Sequence, residues 1–272
     1  MAIRSSIAFI GVGNMGSAIL GGILESRVFS PDSITLCDPF KEKCEPFIVR
    51  GCTYTPSLPI AAQNAECILL AVKPQQIDAV MNEFAPYSAG KLVLSIAAGV
   101  PIARIAEKFP KASVVRAMPN TPLLVGKGVT ALCRDTAVSD VSQDDFTLAF
   151  RIFSASGMAV ELPESQINPV TALTSSSIAY FARFIGDMYA WAKNNGFPTD
   201  AQTLEMICRS AIGSAELLMQ TDFDPLSLER AVTSPGGTTA EAMKVFTERG
   251  LDTMIPDAMD ACRRRADELA GK

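Results

Sequence analysis

A glycine turn near the start of the chain constrains its fold more than any other feature. An apolar run at residues 6–10 leads into Gly11-Val12-Gly13-Asn14-Met15-Gly16, and a helical pattern follows. In such a turn the first glycine permits the tight bend, the second lets a pyrophosphate approach the backbone, and the third lets the helix pack on the strand. A G-x-G-x-x-G pattern between a strand and a helix therefore predicts a dinucleotide-binding site.

Apolar strands and helical segments alternate through the first half of the chain. The strands lack a polar face, as expected for a parallel sheet that helices cover on both sides. From residue 164 onward the pattern is helical. We predict a Rossmann-type, doubly wound parallel sheet at residues 1–163 and an all-α dimerisation and substrate-binding domain at 164–272. The later strands are predicted at residues 33–38, 52–54, 67–72, 92–96 and 113–117, and the long helices at 169–195, 199–220, 238–249 and 253–269.

The composition excludes several classes of function. The formal net charge is −5 and there is no basic stripe, which argues against nucleic acid or an anionic membrane as a partner. The chain has no histidine, which excludes the Ser-His-Asp and Cys-His mechanisms and the usual zinc sites. Its seven cysteines are irregularly spaced without a C-x-x-C pair. They predict free thiols, no metal site and a cytoplasmic location.

The first predicted helix of the helical domain has an apolar surface wider than one core-facing stripe. A helix that packs on a single neighbour needs only one stripe. The excess predicts burial against a second copy of the chain in a homodimer in preference to burial against its own nucleotide domain, and a higher oligomer of dimers is left open. The large apolar side chains of this helix are Leu173, Ile178, Phe181, Phe184, Ile185, Met188 and Trp191.

A second glycine loop, Val232-Thr233-Ser234-Pro235-Gly236-Gly237-Thr238-Thr239, runs straight into a helical pattern. The spacing of Thr238 and Glu241 is that of a capping box, which predicts that Thr238 caps the helix. Bare N–H groups of Gly236, Gly237 and Thr238 beside a helix N-terminus suit a carboxylate. The neighbouring hydroxyls can bind a second polar atom of the same ligand.

The end of the second predicted strand bears on the choice of cofactor. Asp38 lies where an acid binds ribose hydroxyls and repels a 2′-phosphate, which favours NADH. Lys41 and Lys43 follow closely enough to attract a phosphate instead. We therefore expect the use of both NADPH and NADH. After a later strand, Asn120 is either a nicotinamide contact or a side chain that binds its own loop.

Five segments together resemble pyrroline-5-carboxylate reductases, and the similarity runs nearly end to end. The glycine turn is generic to dinucleotide folds, whereas the last two segments are specific, and their order and spacing also match. The five segments are residues 11–16, 71–75, 95–100, 116–122 and 232–239.

The resemblance implies an oxidoreductase that reduces the cyclic imine 1-pyrroline-5-carboxylate to L-proline by hydride transfer from NADPH or NADH, the final step of proline biosynthesis. The active site would lie between the Rossmann strand ends and the loop at residues 234–239. Thr239 would hydrogen-bond the imine nitrogen and orient it, while the proton comes from solvent or is already on the substrate. The implied cofactor contacts are Gly11, Gly13, Asn14, Met15, Gly16, Ala71, Val72, Lys73, Pro74 and Ala97, and the implied substrate contacts are Ser234, Gly236, Gly237, Thr238 and Thr239.

The start of the helical domain departs from the family pattern. Where the family usually shows a Gly-Ser-Gly-Pro-Ala type of sequence, this chain has Thr174-Ser175-Ser176-Ser177-Ile178-Ala179-Tyr180. Two glycines and a proline are replaced, which bears on the shape of the pocket and leaves the reaction class unchanged.

Three other functions are weighed against this one. A β-hydroxyacid dehydrogenase shares the domain order, but the lysine that such enzymes carry on the first long helix is not found here before Lys193. A non-catalytic dinucleotide-binding regulator has no need of a carboxylate loop. A reductase of a related cyclic imine stays open, because one methylene changes discrimination by only ~1–3 kcal/mol.

Overall fold

The computed structural model describes residues 4–198, 201–220, 224–269 and 271. Packing divides the chain into two units, the first formed by Met1–Ser175 with Cys262–Lys272 and the second by Ser176–Ala261. The boundary predicted between residues 163 and 164 marks a change of sequence character, and as a domain boundary it stays a prediction. In the described part of the chain, no helix combines the length and apolar character that a membrane span requires.

One sheet of eight strands forms the centre of the first unit in its described residues. The strands are β1 (Ile7–Ile10), β2 (Ile34–Cys37), β3 (Thr53–Tyr54), β4 (Cys67–Leu70), β5 (Leu92–Ser95), β6 (Ser113–Met118), β7 (Gly128–Cys133) and β8 (Gly157–Glu161). Their order is β3-β2-β1-β4-β5-β6-β7-β8. Neighbouring strands are parallel except β6 and β7, which are antiparallel. The predicted doubly wound sheet is confirmed, with this one antiparallel pair added.

The core lies on both faces of the sheet. Along β1, Ile7 and Phe9 belong to one buried cluster, while Ala8 and Ile10 belong to the other. This alternation explains why the strands show no polar face in the sequence. The helices of the first unit are α1 (Asn14–Ser26), α2 (Glu45–Ile48), α3 (Leu58–Gln63), α4 (Ile77–Phe84), α5 (Ile102–Lys108), α6 (Gln143–Ser154) and α7 (Ile167–Val170).

Two strands were not predicted, β7 and β8. Each begins at a glycine, Gly128 and Gly157, and glycine is depleted in strands. β7 is also the antiparallel strand, so it breaks the strand–helix alternation on which the sequence prediction depended.

The long helix predicted at residues 169–195 is interrupted. A π-helical turn at Thr171–Ser175 separates α7 from α8 (Ser177–Asn194). The hydroxyl of Thr171 donates to the carbonyl of Ile167 (3.4 Å), and that of Thr174 donates to the carbonyl of Val170 (3.0 Å). Such bonds from side chain to backbone compete with the helical ladder and bend helices.

The second unit is helical, as predicted. One helix, α10, was not foreseen, and it begins where Asp224 accepts a hydrogen bond from the N–H of Leu226 (3.2 Å). The predicted helix start at residue 199 lies outside the described residues. The helices after α8 are α9 (Ala201–Gln220), α10 (Pro225–Ala231), α11 (Thr238–Glu248) and α12 (Leu251–Leu269).

Candidate active site

The glycine turn connects β1 to α1 at the carboxyl edge of the sheet. Gly11 has φ +99°, and its N–H donates to the carbonyl of Cys37 (2.8 Å). A Cβ at Gly11 would lie 2.6 Å from the carbonyl oxygen of Ala71. A side chain is therefore excluded here by both the backbone conformation and the neighbouring strand.

The other two glycines of the turn have different surroundings. A Cβ at Gly16 would lie 2.5 Å from the carbonyl oxygen of Gly11, so this glycine lets α1 pack against the turn. A Cβ at Gly13 would meet nothing within 4 Å. Gly13 is also the N-cap of α1 and makes no side-chain cap bond. The first N–H groups of the helix therefore remain for a ligand, and the space that fits a pyrophosphate is open.

A cleft of about 730 Å³ adjoins this turn. Among its described lining residues, Lys43 and Lys73 are charged and none is acidic, although the whole chain is acidic. A cationic lining suits a dinucleotide, whose phosphates are anionic. Of the predicted cofactor contacts, the cleft brings together Gly13, Asn14, Met15, Ala71, Val72 and Lys73.

Other lining residues were not predicted as contacts. Those after β5 and β6 come from segments that the sequence analysis had marked as motifs, and a strand-end position was the signal that identified them as candidates. Lys43 was considered only as an attractor of phosphate. The additional lining residues are Val12, Ser17, Lys43, Ile96, Ala98, Met118, Pro119 and Leu124.

Asp38 is buried beside the glycine turn and is not among the residues that line the cleft. One carboxylate oxygen accepts a hydrogen bond from the N–H of Val12 (2.8 Å), and the other accepts one from the N–H of Phe40 (3.0 Å). Lys43 Nζ lies 3.6 Å from the second oxygen. The side chain therefore holds the glycine turn against the end of β2.

Asn120, predicted either to contact nicotinamide or to bind its own loop, is hydrogen-bonded within the first unit. Its side chain is buried, its Nδ2 donates to the carbonyl of Thr174 (2.8 Å), and its Oδ1 accepts from the N–H of Val129 (2.8 Å). The amide joins the end of β6 to β7 and to the π-helical turn. Its two partners are a residue of β7 and a residue of the π-helical turn, so these bonds reach beyond its own loop, and a contact with nicotinamide stays a prediction.

Ala97 and Pro74 are predicted cofactor contacts that are not among the residues lining the cleft. Ala97 is 2% exposed, and the next residue, Ala98, lines the cleft in its place. Pro74 is exposed and begins a 3₁₀ turn directly after Lys73. A contact of either residue with the cofactor stays a prediction.

Three buried thiols, two near the end of β2 and one at the end of β7, have raised pKa values. Burial raises the pKa of Cys37 and of Cys44 to about 11, and burial raises that of Cys133 to about 12. All three are therefore protonated at neutral pH, and a thiolate nucleophile is not available among them. Within the described residues, no group of three or more His, Cys, Asp or Glu side chains could hold a metal ion.

The second glycine loop forms a turn that ends at the start of α11. The N–H of Gly237 donates to the carbonyl of Ser234 (2.9 Å), and Gly236 has φ +71°. Proline at the second position and a positive φ at the third are typical of a type II turn. A Cβ at Gly237 would lie 2.4 Å from Ser234 Oγ.

Two predictions about this loop are wrong in detail. Gly237, not Thr238, is the N-cap of α11, and no side chain caps the helix. The type II turn ends at Gly237 and so places Thr238 inside the helix, where its hydroxyl cannot act as the cap. The N–H of Gly237 is already used within the turn. The N–H groups of Thr238 and Thr239, in the first turn of α11, remain as donors for an anion.

The departure from the family pattern at residues 174–180 falls on the π-helical turn and the start of α8. Ser175 ends the turn, and its Oγ is buried without a hydrogen-bond partner. π-Helical turns are frequent at functional sites. The effect of this serine on the pocket stays a prediction.

Comparison with known proteins agrees with this architecture. Residues 164–269 match the family model described as pyrroline-5-carboxylate reductase dimerisation, and residues 6–99 match NADP oxidoreductase coenzyme F420-dependent. The pyrroline-5-carboxylate reductase of Synechocystis sp. is 35% identical over 270 residues, which cover 98% of each chain. The chain belongs to the pyrroline-5-carboxylate reductase family.

Further members of the family extend the match. The Escherichia coli pyrroline-5-carboxylate reductase is 35% identical over 271 residues, covering 98% of this chain and 99% of that protein. The crystal structure of the Plasmodium falciparum pyrroline carboxylate reductase with NADP bound superposes with a TM-score of 0.89 at 25% identity, covering 99% of this chain and 100% of the other. Because the chain contains the family's dimerisation domain, a homodimer is supported.

Proposed function

We propose that this chain reduces 1-pyrroline-5-carboxylate to L-proline with NADPH or NADH, the final step of proline biosynthesis. One observation carries the proposal. This member of the family has both a cationic cleft beside the α1 glycine turn and a second glycine loop at the start of α11. The relatives named as pyrroline-5-carboxylate reductases cover nearly the whole chain. The cofactor supplies the hydride, and the protein supplies the positions of the reactants.

The cofactor contacts are proposed from the cleft lining. The open N-terminus of α1 would receive the pyrophosphate, with Gly13, Asn14 and Met15 as the nearest backbone. Gly11, Gly16 and Asp38 would act indirectly, because they shape the turn. The residues after β4, Ala71 to Lys73, would line the path of the cofactor.

The imino acid is proposed to bind at the second glycine loop. Its carboxylate fits the N–H groups at the start of α11, where the helix dipole also favours a negative charge. Ser234 and Thr238 are exposed and offer hydroxyls, and Thr239 is half-buried. Gly236 and Gly237 contribute the shape of the turn.

We propose Thr239 as the residue that orients the imine. Its hydroxyl would hydrogen-bond the ring nitrogen while a hydride adds to the adjacent carbon. The C=N double bond then becomes a single bond, and the nitrogen keeps a proton that came from solvent. A threonine hydroxyl is a poor acid at neutral pH, so its contribution is orientation and not proton donation.

The proposal is tested by following the oxidation of NADPH and NADH in the near ultraviolet with purified protein and pyrroline-5-carboxylate. We expect saturable oxidation with both cofactors. The Thr239→Ala variant should lower kcat/KM about 10- to 100-fold, the value of a hydrogen bond to a charged group, while Thr239→Ser keeps most activity. Cofactor binding without any oxidation would contradict the proposed reaction.

Light scattering on the purified protein would distinguish a homodimer from a higher oligomer of dimers. We also propose a cytoplasmic location, which the free state of all seven cysteines supports.

A further inference from the structure

The segment at residues 116–120 spans the end of β6, and the proposed reaction gives its polar side chains no task. In its middle, Met118 and Pro119 line the cleft. Arg116 and Asn120 flank them, and each is only 4% exposed. Burying a polar side chain is costly unless its hydrogen bonds are satisfied. The partners of these two residues therefore show what they do.

Arg116 holds the segment that leads into the helical part of the chain. Its Nη1 donates to Glu164 Oε1 (3.1 Å), and its Nη2 donates to Asn168 Oδ1 (3.0 Å). The same oxygen of Glu164 accepts a hydrogen bond from the N–H of Ile102 (2.7 Å), at the start of α5. A guanidinium group is a planar fork with several donors. One arginine can therefore fix both α7 and the turn before it.

Asn168 extends this contact to the last helix of the chain. Its Oδ1 accepts from Arg116, while its Nδ2 donates to Asp267 Oδ1 (3.2 Å), near the end of α12. The side chain is buried. An amide has one accepting end and one donating end. The cation on one side and the carboxylate on the other therefore fix its orientation.

Asn120 holds the π-helical turn in a similar way. Its amide connects the carbonyl of Thr174 to the N–H of Val129 in β7. The first unit ends at Ser175 and resumes at Cys262, so the chain passes between the two units twice. Thr174 lies directly before the first passage, and the residue that Asn168 binds lies shortly after the second. Both connections are thus anchored, within the first unit, to the end of β6.

We propose that Arg116 and Asn120 are positioning residues, which fix both chain connections to the helical unit and thereby set how the imino acid meets the cofactor. The inference rests on the proposed function, which assigns the cofactor to the cleft and the imino acid to the loop at residues 234–239. The role requires no contact with either ligand. When the anchors are loosened, the cleft stays complete and the cofactor still binds, but hydride transfer slows because it depends steeply on the geometry of the reactants.

Asn168→Asp breaks one anchor with a side chain of the same shape. The new carboxylate still accepts from Arg116, but it has no donor for Asp267 and repels it. We expect kcat/KM for pyrroline-5-carboxylate to fall about 10-fold, the value of one hydrogen bond to a charged group, while the Kd of NADPH in calorimetry stays unchanged. The double variant Asn168→Asp/Asp267→Asn supplies an amide donor opposite the new carboxylate and should recover most of the loss.

Asn120→Asp tests the second anchor. It keeps the acceptor for the N–H of Val129 and removes the donor to the carbonyl of Thr174, so it should also lower kcat/KM without changing the Kd of NADPH. The matched control is Asn82→Asp, which makes the same change of charge at an exposed side chain of α4 and should alter neither quantity. Equal losses of NADPH affinity and of kcat/KM in Asn168→Asp, or a double variant no more active than the single one, would overturn the proposal.

Hydrogen exchange tests the anchoring independently of the reaction. The amides at residues 262–268 should exchange about 10-fold faster in Asn168→Asp than in the wild type, and the double variant should regain the protection. Unchanged exchange in Asn168→Asp would also overturn the proposal. Faster exchange in a protein whose wild type does not reduce pyrroline-5-carboxylate would support the anchoring and contradict the proposed reaction alone.

Discussion

Two helices of this chain begin at a glycine without a side-chain cap, and their surroundings differ. At the start of α1, the residues before Gly13 are fixed by long-range bonds, from Gly11 to the end of β2 and from Val12 to Asp38. At the start of α11, the turn before Gly237 is closed by its own bond to Ser234, and most of its residues are exposed. The first site is held by a sheet with a core on both faces, and the second is held locally.

The difference indicates that a single copy of the chain forms the cofactor cleft, whereas the second glycine loop depends on helices whose apolar side chains are exposed. The dinucleotide cleft is formed within the first unit. The second glycine loop, the proposed imino-acid site, belongs to a unit that exposes large apolar side chains, among them Phe181 at 65% and Trp191 at 62%. α11 packs on α8 through Phe246 and Phe184, whose ring centres lie 6.2 Å apart. A second copy that covers α8 would therefore also stabilise the helix on which the loop depends.

Of the substitutions considered, Gly11→Ala is expected to cause the largest loss of stability and of nucleotide binding. The new Cβ must lie 2.6 Å from a backbone oxygen at φ +99°, and a left-handed conformation together with a core clash costs about 2–4 kcal/mol. Thermal unfolding should show this loss, and titration should show that nucleotide binding is abolished.

Gly90→Ala is the matched control for the backbone conformation. Gly90 also has a positive φ, +73°, but a Cβ there would meet nothing within 4 Å. It should cost about 1 kcal/mol and leave nucleotide binding intact. Equal losses in the two variants would show that the contact with Ala71 is unimportant, and the claim of a fixed dinucleotide turn would fail.

A smaller loss of stability is expected when the ion pair between Arg4 and Asp145 in the first unit is broken. Arg4 binds both carboxylate oxygens of Asp145, at 2.6 and 2.8 Å, and both side chains are largely buried. Burial raises the pKa of Asp145, but the hydrogen bonds and charge of Arg4 outweigh it and hold the pKa below its usual range. Asp145→Asn should cost about 2 kcal/mol at neutral pH.

The pH dependence of this loss has a definite sign. Because the folded pKa of Asp145 is lowered, its contribution is present above the unfolded pKa of about 4 and is lost as the pH falls through the folded pKa. The gap in unfolding free energy between the wild type and Asp145→Asn should therefore narrow in acid. Asp187→Asn, which breaks an exposed pair with Arg183 in the second unit, should change stability by no measurable amount. A constant gap down to strong acid would contradict this assignment.

The sequence predicted the features that neighbouring residues determine, and it missed those that depend on contacts between residues distant in the chain. The strand, the turn and the helix at residues 6–26 are set by local pattern, and they were predicted correctly. The orientation of Asp38 and the partners of Asn120 depend on residues distant in the chain, such as Val12 and Thr174. The interruption before α8 depends on threonine hydroxyls that bind the backbone, which the apolar periodicity does not record.

The most direct test of the account separates cofactor binding from turnover in a monomer. In the double variant Phe181→Glu/Trp191→Glu, light scattering should report a monomer that still binds adenosine 2′,5′-bisphosphate as the wild type does. It should lose the oxidation of NADPH that depends on pyrroline-5-carboxylate. Val49→Glu, at a side chain 88% exposed in the first unit, should change neither property. A double variant that stays dimeric, or a monomer with full turnover per chain, would contradict the account.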